Sequence, residues 1–255
     1  AGYDVLVVYA DREHSANMVY LTGFDPRFEE ALLILTHDAA PVLVVGNECW
    51  DHADSSPVSL QKALFQDFSL LGQPRDGSLP LQEIFREAGI NGKADLGVAG
   101  WKYFTSEQGH KRTDLLEIPS YIADTLRMTA QSVSNATDIF MNAADGLRVV
   151  NEVEQLAAFE YAGTVCSTAV KNVLFGIKPG MTEYDAVRLM KLNGMPWSCH
   201  LMLSTGEKAA FGMSSPSSKV IEHGDRFNTA YGLWGSLTSR AGFLTSCEDD
   251  LPETI

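Results

Sequence analysis

Apolar and polar positions along the chain follow two rhythms. Short β-branched runs dominate the first third: residues 4–9 (DVLVVY), 31–36 (ALLILT), 41–46 (PVLVVG) and 95–100 (DLGVAG) predict buried strands. Residues 18–24 (MVYLTGF), closed by a glycine, predict a further strand. His37-Asp38-Ala39-Ala40 predicts a hairpin turn between two of them. Residues 79–88 predict a short helix, with Pro80 in its first turn and Gly89 just past its end. Pro119 opens a helix running to about Met128. Strands alternating with helices point to an α/β domain on a mixed sheet.

The rhythm changes near residues 143–150, which sets the expected domains at 1–145 and 146–255. Val153, Leu156, Ala157, Tyr161, Val165, Ala169, Val173 and Leu174 recur at three- and four-residue steps and predict one long helix. Asn151 is its expected cap, and Glu152 and Glu154 suit its positive end. Ile177-Lys178-Pro179-Gly180-Met181 reads as a turn, and Thr182 with Asp185 as a capping box for a second helix. Asn193-Gly194-Met195-Pro196 is expected to stop that helix. A strand at 200–203, a turn at Gly206 and a hairpin over 226–244 complete the pattern.

Composition narrows the partners. The chain has 255 residues, 45% of them apolar, enough for a real core. Its formal charge of −14 repels phosphate backbones, so neither nucleic acid nor an anionic membrane is an expected partner. No apolar run approaches the roughly 20 residues of a membrane span. The start, Ala1-Gly2-Tyr3-Asp4, lacks the pattern of a signal peptide, and without an initiator Met both ends read as trimmed. Cys49, Cys166, Cys199 and Cys247 show no CxxC spacing and read as thiols of a reducing cytoplasm.

Local motifs exclude more than they assign. There is no Gly-x-Ser-x-Gly, no His-Glu-x-x-His and no phosphate-cradling glycine loop, and the six histidines lack metal-ligand spacing. The order of segments is more informative. Residues 17–24 (NMVYLTGF) precede the strand at 31–36. Asn151-Glu152-Val153-Glu154 opens the long helix, and Ile177-Lys178-Pro179-Gly180-Met181-Thr182-Glu183 follows it. Then come Leu203-Ser204-Thr205-Gly206, Ser215-Pro216, and Gly224-Asp225 leading into a hairpin with Arg240.

In this order the pieces resemble the creatinase, prolidase and Xaa-Pro aminopeptidase family. The resemblance implies a creatinase-like N-terminal domain followed by a pita-bread catalytic domain. About 110 residues follow the boundary, so only the first part of the catalytic domain is expected here. The family's metallopeptidases hold two divalent ions, and their hairpin aspartates fall here on Ala230 and, approximately, Leu237. Between Asp225 and Glu248 the only metal-ligand type is Cys247, so no metal and no other cofactor are expected. The histidine that serves creatinase falls on Met213, whose thioether moves no proton. His200 is the nearest imidazole, a group type that titrates near neutrality, and becomes the candidate proton carrier. Met213, Tyr231, Trp234 and Arg240 become candidate substrate contacts, and Asp225 a turn residue.

Two functions follow as expectations. One is a metal-independent hydrolase of a C–N bond in a small peptide-like or amidino compound. The other is a non-catalytic binding or scaffold protein that keeps the fold without the site. In either case the resemblance implies a homodimer, and the sparse thiols a cytoplasmic setting.

Overall fold

The computed structural model describes residues 2–251. The chain divides into two compact units, Ala1–Val150 and Asn151–Ile255.

The first unit is built on a six-stranded sheet. Its strands are β1 (Val5–Ala10), β2 (Ala31–Thr36), β3 (Val42–Val45), β4 (Gln61–Leu64), β5 (Asp95–Ala99) and β6 (Ser132–Asn135), in spatial order β4-β3-β2-β1-β5-β6. β2 runs antiparallel to β1 and β3, whereas β1 and β5, β5 and β6, and β3 and β4 pair in parallel. Both faces are covered, which explains why the strand sequences are continuous apolar runs rather than alternating ones. Val5, Val7, Tyr9, Leu32 and Ile34 face one core with Ile84 and Phe85 of α3 (Leu81–Glu87) and Ile122 of α4 (Ser120–Thr129). Val8, Ala10, Ala31 and Leu33 face another with Met18 of α1 (Ala16–Thr22), Cys49 of α2 (Cys49–His52) and Phe140 of α5 (Asp138–Met141).

The segment 18–24 is not a strand. It forms α1, which ends on Gly23 at φ 68°, with the Gly23 N–H donating to Val19 O. Asn17, Met18 and Thr22 are its buried residues. The β-formers Val19 and Tyr20 are overridden because the left-handed glycine closes a helical turn and one helix face meets the sheet. Sequence reading also missed β4 (QKAL) and β6 (SVSN). Both are short, partly polar edge strands whose identity comes from pairing with β3 and β5.

In the second unit α6 (Val153–Gly176) lies on the sheet β7 (Trp197–Thr205), β8 (Arg226–Leu233), β9 (Thr238–Phe243), in that order. Ala162, Cys166, Ala169, Val170 and Val173 pack with Leu201, Leu203, Tyr231 and Leu233. Val153, Leu156 and Tyr161 of the predicted stripe stay exposed. The N-cap is Glu152 rather than Asn151, because Glu152 and Gln155 close a reciprocal capping box. α7 (Glu183–Arg188) has the predicted box: Thr182 Oγ1 accepts from Asp185 N at 3.1 Å, and Asp185 Oδ2 accepts from Thr182 N at 3.0 Å. It ends at Arg188, before the predicted stop at 193–196.

One buried carboxylate holds this unit's loops together. Glu183 is wholly inaccessible. Its Oε1 accepts from Thr205 N at 2.7 Å and Thr205 Oγ1 at 3.0 Å. Its Oε2 accepts from Ser217 Oγ at 2.7 Å, Ser217 N at 2.8 Å and Lys208 Nζ at 3.1 Å. Burial alone pushes the carboxyl pKa up, but the donors from Ser217, Lys208 and Thr205 outweigh it and hold the group below its ordinary value. Glu183→Ala is therefore expected to destabilise the protein by about 3–5 kcal/mol in urea unfolding, since it strands these donors and the Lys208 charge. A lowered folded pKa means stabilisation that is present above the unfolded value of about 4.3 and is lost as pH falls through the folded one. Glu183→Gln should accordingly flatten the stability–pH curve in that acid window relative to the native protein.

Candidate functional site

The alternation of β8 separates two faces. Phe227, Thr229, Tyr231 and Leu233 are buried, and the last two belong to the core beneath α6. Asn228, Ala230 and Gly232 lie on the other face. Cross-strand partners share a face, so register fixes their company. Asn228 stands between Ser204 and Ala241, Ala230 between Met202 and Ser239, and Gly232 beside Cys199. Ser204 Oγ donates to Asn228 Oδ1 at 2.8 Å, and Asn228 Nδ2 donates to Ala209 O at 2.6 Å. This polar pair went unnoticed in the sequence, since neither side chain belongs to a recognisable catalytic pattern.

His200 owes its position to a bulge. Cys199 pairs with Gly232 and Met202 with Ala230, so His200 and Leu201 together stand opposite the single Tyr231. Leu201 turns into the core and His200 is exposed. Among the described residues the imidazole has no hydrogen-bond partner, although Cys199 Sγ donates to the His200 carbonyl at 3.4 Å. Burial raises the Cys199 thiol pKa.

The other candidates are dispersed. Tyr231 is 1% exposed and packs in the core on the helix side, where burial raises its hydroxyl pKa. Arg240 is exposed on β9, with its register partner at Thr229 and Nη1 donating to Ser239 O at 2.7 Å. Thr229 belongs to the face opposite Ala230, so register does not bring Arg240 onto the Ala230 face. Met213 lies beyond the 3-10 turn Gly206–Phe211, exposed and at φ 52°. Trp234 and Gly235 form the tip of the β8–β9 hairpin at φ 35° and 82°, and Ser236 N donates to Leu233 O at 2.8 Å. Two positive φ angles are the mirror-image turn that hairpin twist favours. Gly235 is required twice over, because a Cβ there would stand 2.8 Å from a Phe159 ring carbon. Asp225 serves the turn: it accepts from Lys219 Nζ at 2.6 Å and Glu222 N at 2.9 Å.

A pair of divalent ions needs several hard oxygen ligands. The Ala230 face offers an amide, hydroxyls, a thioether, a methyl and the single soft thiol of Cys199, and Leu237 projects from the hairpin turn into solvent. Among the described residues no three His, Cys, Asp or Glu side chains converge. These residues do not fit such a pair. No helix among the described residues is long and apolar enough to cross a membrane.

No protein-family model matches the chain, and comparison with curated proteins gives no match. Solved structures do match. The prolidase from Pyrococcus horikoshii OT3 superposes with a TM-score of 0.68 at 17% identity, covering 97% of this chain and 62% of that one. For the prolidase from Pyrococcus furiosus the values are 0.64, 18%, 95% and 62%. For the X-Pro aminopeptidase from Thermotoga maritima they are 0.64, 15%, 95% and 61%. The chain thus spans about three fifths of the length of these relatives. Over that span it has the creatinase/prolidase, or pita-bread, fold.

Proposed function

We propose that the chain is part of a prolidase-like hydrolase that cleaves a C–N bond of a small peptide-like or amidino compound without a metal pair. The observation that carries this reading is the chemistry of the Ala230 face, where a methyl group stands between Met202 and Ser239 in place of a carboxylate. In such a reaction water attacks the carbon, a base takes its proton, and the proton passes to the departing nitrogen as the C–N bond breaks. His200, exposed on its bulge, is the group that would carry that proton. Met213 and Trp234 would offer apolar walls and Tyr231 the backing of the sheet from its helix side, while Arg240, whose register keeps it off the Ala230 face, would act on a substrate only at the hairpin's border. The resemblance adds a homodimer to the proposal, and the sparse cysteines without CxxC spacing add a cytoplasmic setting.

A scaffold without catalysis is the second reading. It is favoured by the apolar side chains of Met213, Ala230 and Leu237 at positions where chemistry needs titratable ones, and by an imidazole that nothing among the described residues orients.

A screen with Xaa-Pro dipeptides, creatine and ectoine separates the two. Turnover that falls by about 100-fold or more in His200→Ala supports the hydrolase and its proton carrier. Unchanged turnover removes His200 from the mechanism, and no turnover of any compound favours the scaffold. Elemental analysis of the purified protein is expected to find no stoichiometric Mn, Co, Fe or Zn; a bound pair would overturn the metal-independent reading.

A further inference from the structure

The first unit carries an assembly of polar and aromatic groups that the hydrolytic reading does not use. β1 and β5 are parallel neighbours, but the chain leaves β1 toward β2 on one side and leaves β5 toward β6 on the other. Where connections diverge in this way, loops leave a crevice at the carboxyl ends of the strands. Here the two loops meet directly: the His14 ring stacks on Trp101 with centroids 4.7 Å apart and an interplanar angle of 14°. Lys102 Nζ lies 4.6 Å from the Trp101 centroid, and Trp101 remains 45% exposed.

Through Asn17 the same two loops hold a guanidinium that has no counter-ion among the described residues. Asn17 is 3% exposed, and its Nδ2 donates to Gly100 O at 2.7 Å, the residue before Trp101. The fixed amide then presents Oδ1 to Arg148 Nη1 at 2.9 Å. Arg148 is half-buried, and burial lowers its pKa. Among the described residues its one other contact of this kind is Nη1 to Met141 Sδ at 3.3 Å. Lys62, Arg75 and Arg112 each have an aspartate in ion-pair range, whereas Arg148 has no carboxylate within reach among the described residues. The nearby acids are already engaged. Asp11 accepts from the Glu13 and His14 amides and the His14 ring, and Glu117 Oε2 accepts from Trp101 N at 2.7 Å. Among the described residues the Nε and Nη2 edge of Arg148 is therefore unused, and that edge is the planar fork that binds a carboxylate through two parallel hydrogen bonds.

We infer that the β1–β5 switch point is a binding site for a small carboxylate carrying a flat apolar group, with Arg148 taking the carboxylate and the Trp101–His14 stack flanking the flat group. Arg148 is placed for this by Asn17, so the site is pre-organised from the core outward rather than formed by mobile surface chains.

The probes are N-acetylphenylalanine, its neutral amide and inorganic phosphate, titrated into the full chain by calorimetry and by tryptophan fluorescence, with Trp101→Phe identifying the Trp101 signal. The carboxylate is expected to bind with a Kd of about 1 mM or tighter. The amide is expected to bind at least about tenfold more weakly, as are Arg148→Lys, which keeps the charge without the fork, and Arg148→Gln. Equal binding of acid and amide, native affinity in both Arg148 variants, or no saturation by the acid below about 10 mM would overturn the inference. Saturation by phosphate alone would overturn the ligand class. Should Arg148→Gln fail to fold, Arg148→Lys and the acid–amide comparison on the native chain still decide.

Discussion

A single carboxylate governs the second unit. Glu183 is removed from water, yet five donors from three separate stretches of chain converge on it. A buried charge is tolerable only when its hydrogen bonds replace hydration, so Thr205, Lys208 and Ser217 must all be in place together. The end of β7, the 3-10 turn after it and the loop through Ser217 are thereby fastened to the start of α7. Lys219 and Asp225 extend the same fastening to the turn that launches β8. The hairpin's register, and hence the company Ala230 keeps, is set downstream of that fastening.

The pieces that first suggested a family are the pieces that Glu183 joins. Lys178–Glu183, Leu203–Gly206 and Ser215-Pro216 looked like separate weak signals along the chain. In space Glu183 links the first to Thr205 in the second and to Ser217 just past the third. The first supplies the acceptor, the second supplies donors, and the third leads directly into the donor Ser217 of the same buried centre. The shared centre was not legible, since a glutamate in a helix's first turn reads equally well as a surface charge favoured by the dipole.

The strands of the first sheet were legible because both faces are covered and the code is simply apolar. β4 and β6 were not, since edge pairing is decided by a neighbour and leaves little trace in QKAL or SVSN. The segment around Val19 and Tyr20 was misread because local β preference lost to a left-handed glycine and to one-sided burial. Among the candidate site residues, sequence placed His200, Trp234 and Arg240 near one hairpin but could not assign faces. Facing depends on parity along the strand, and parity here is interrupted.

That interruption has a reach beyond the imidazole it exposes. Because two residues on β7 share one opposite number, Cys199 and Met202 fall on the same side of the sheet although an odd step separates them. The strand is interrupted twice, between Trp197 and Cys199 and between Cys199 and Met202, so its phase shifts at both places. Trp197, upstream of both interruptions, still reaches the core through a side-chain hydrogen bond with the Tyr231 hydroxyl. Interruptions of this kind turn single side chains outward while the residue beside them keeps its seat in the core, so an imidazole reaches solvent from the middle of a strand whose next residue, Leu201, stays buried.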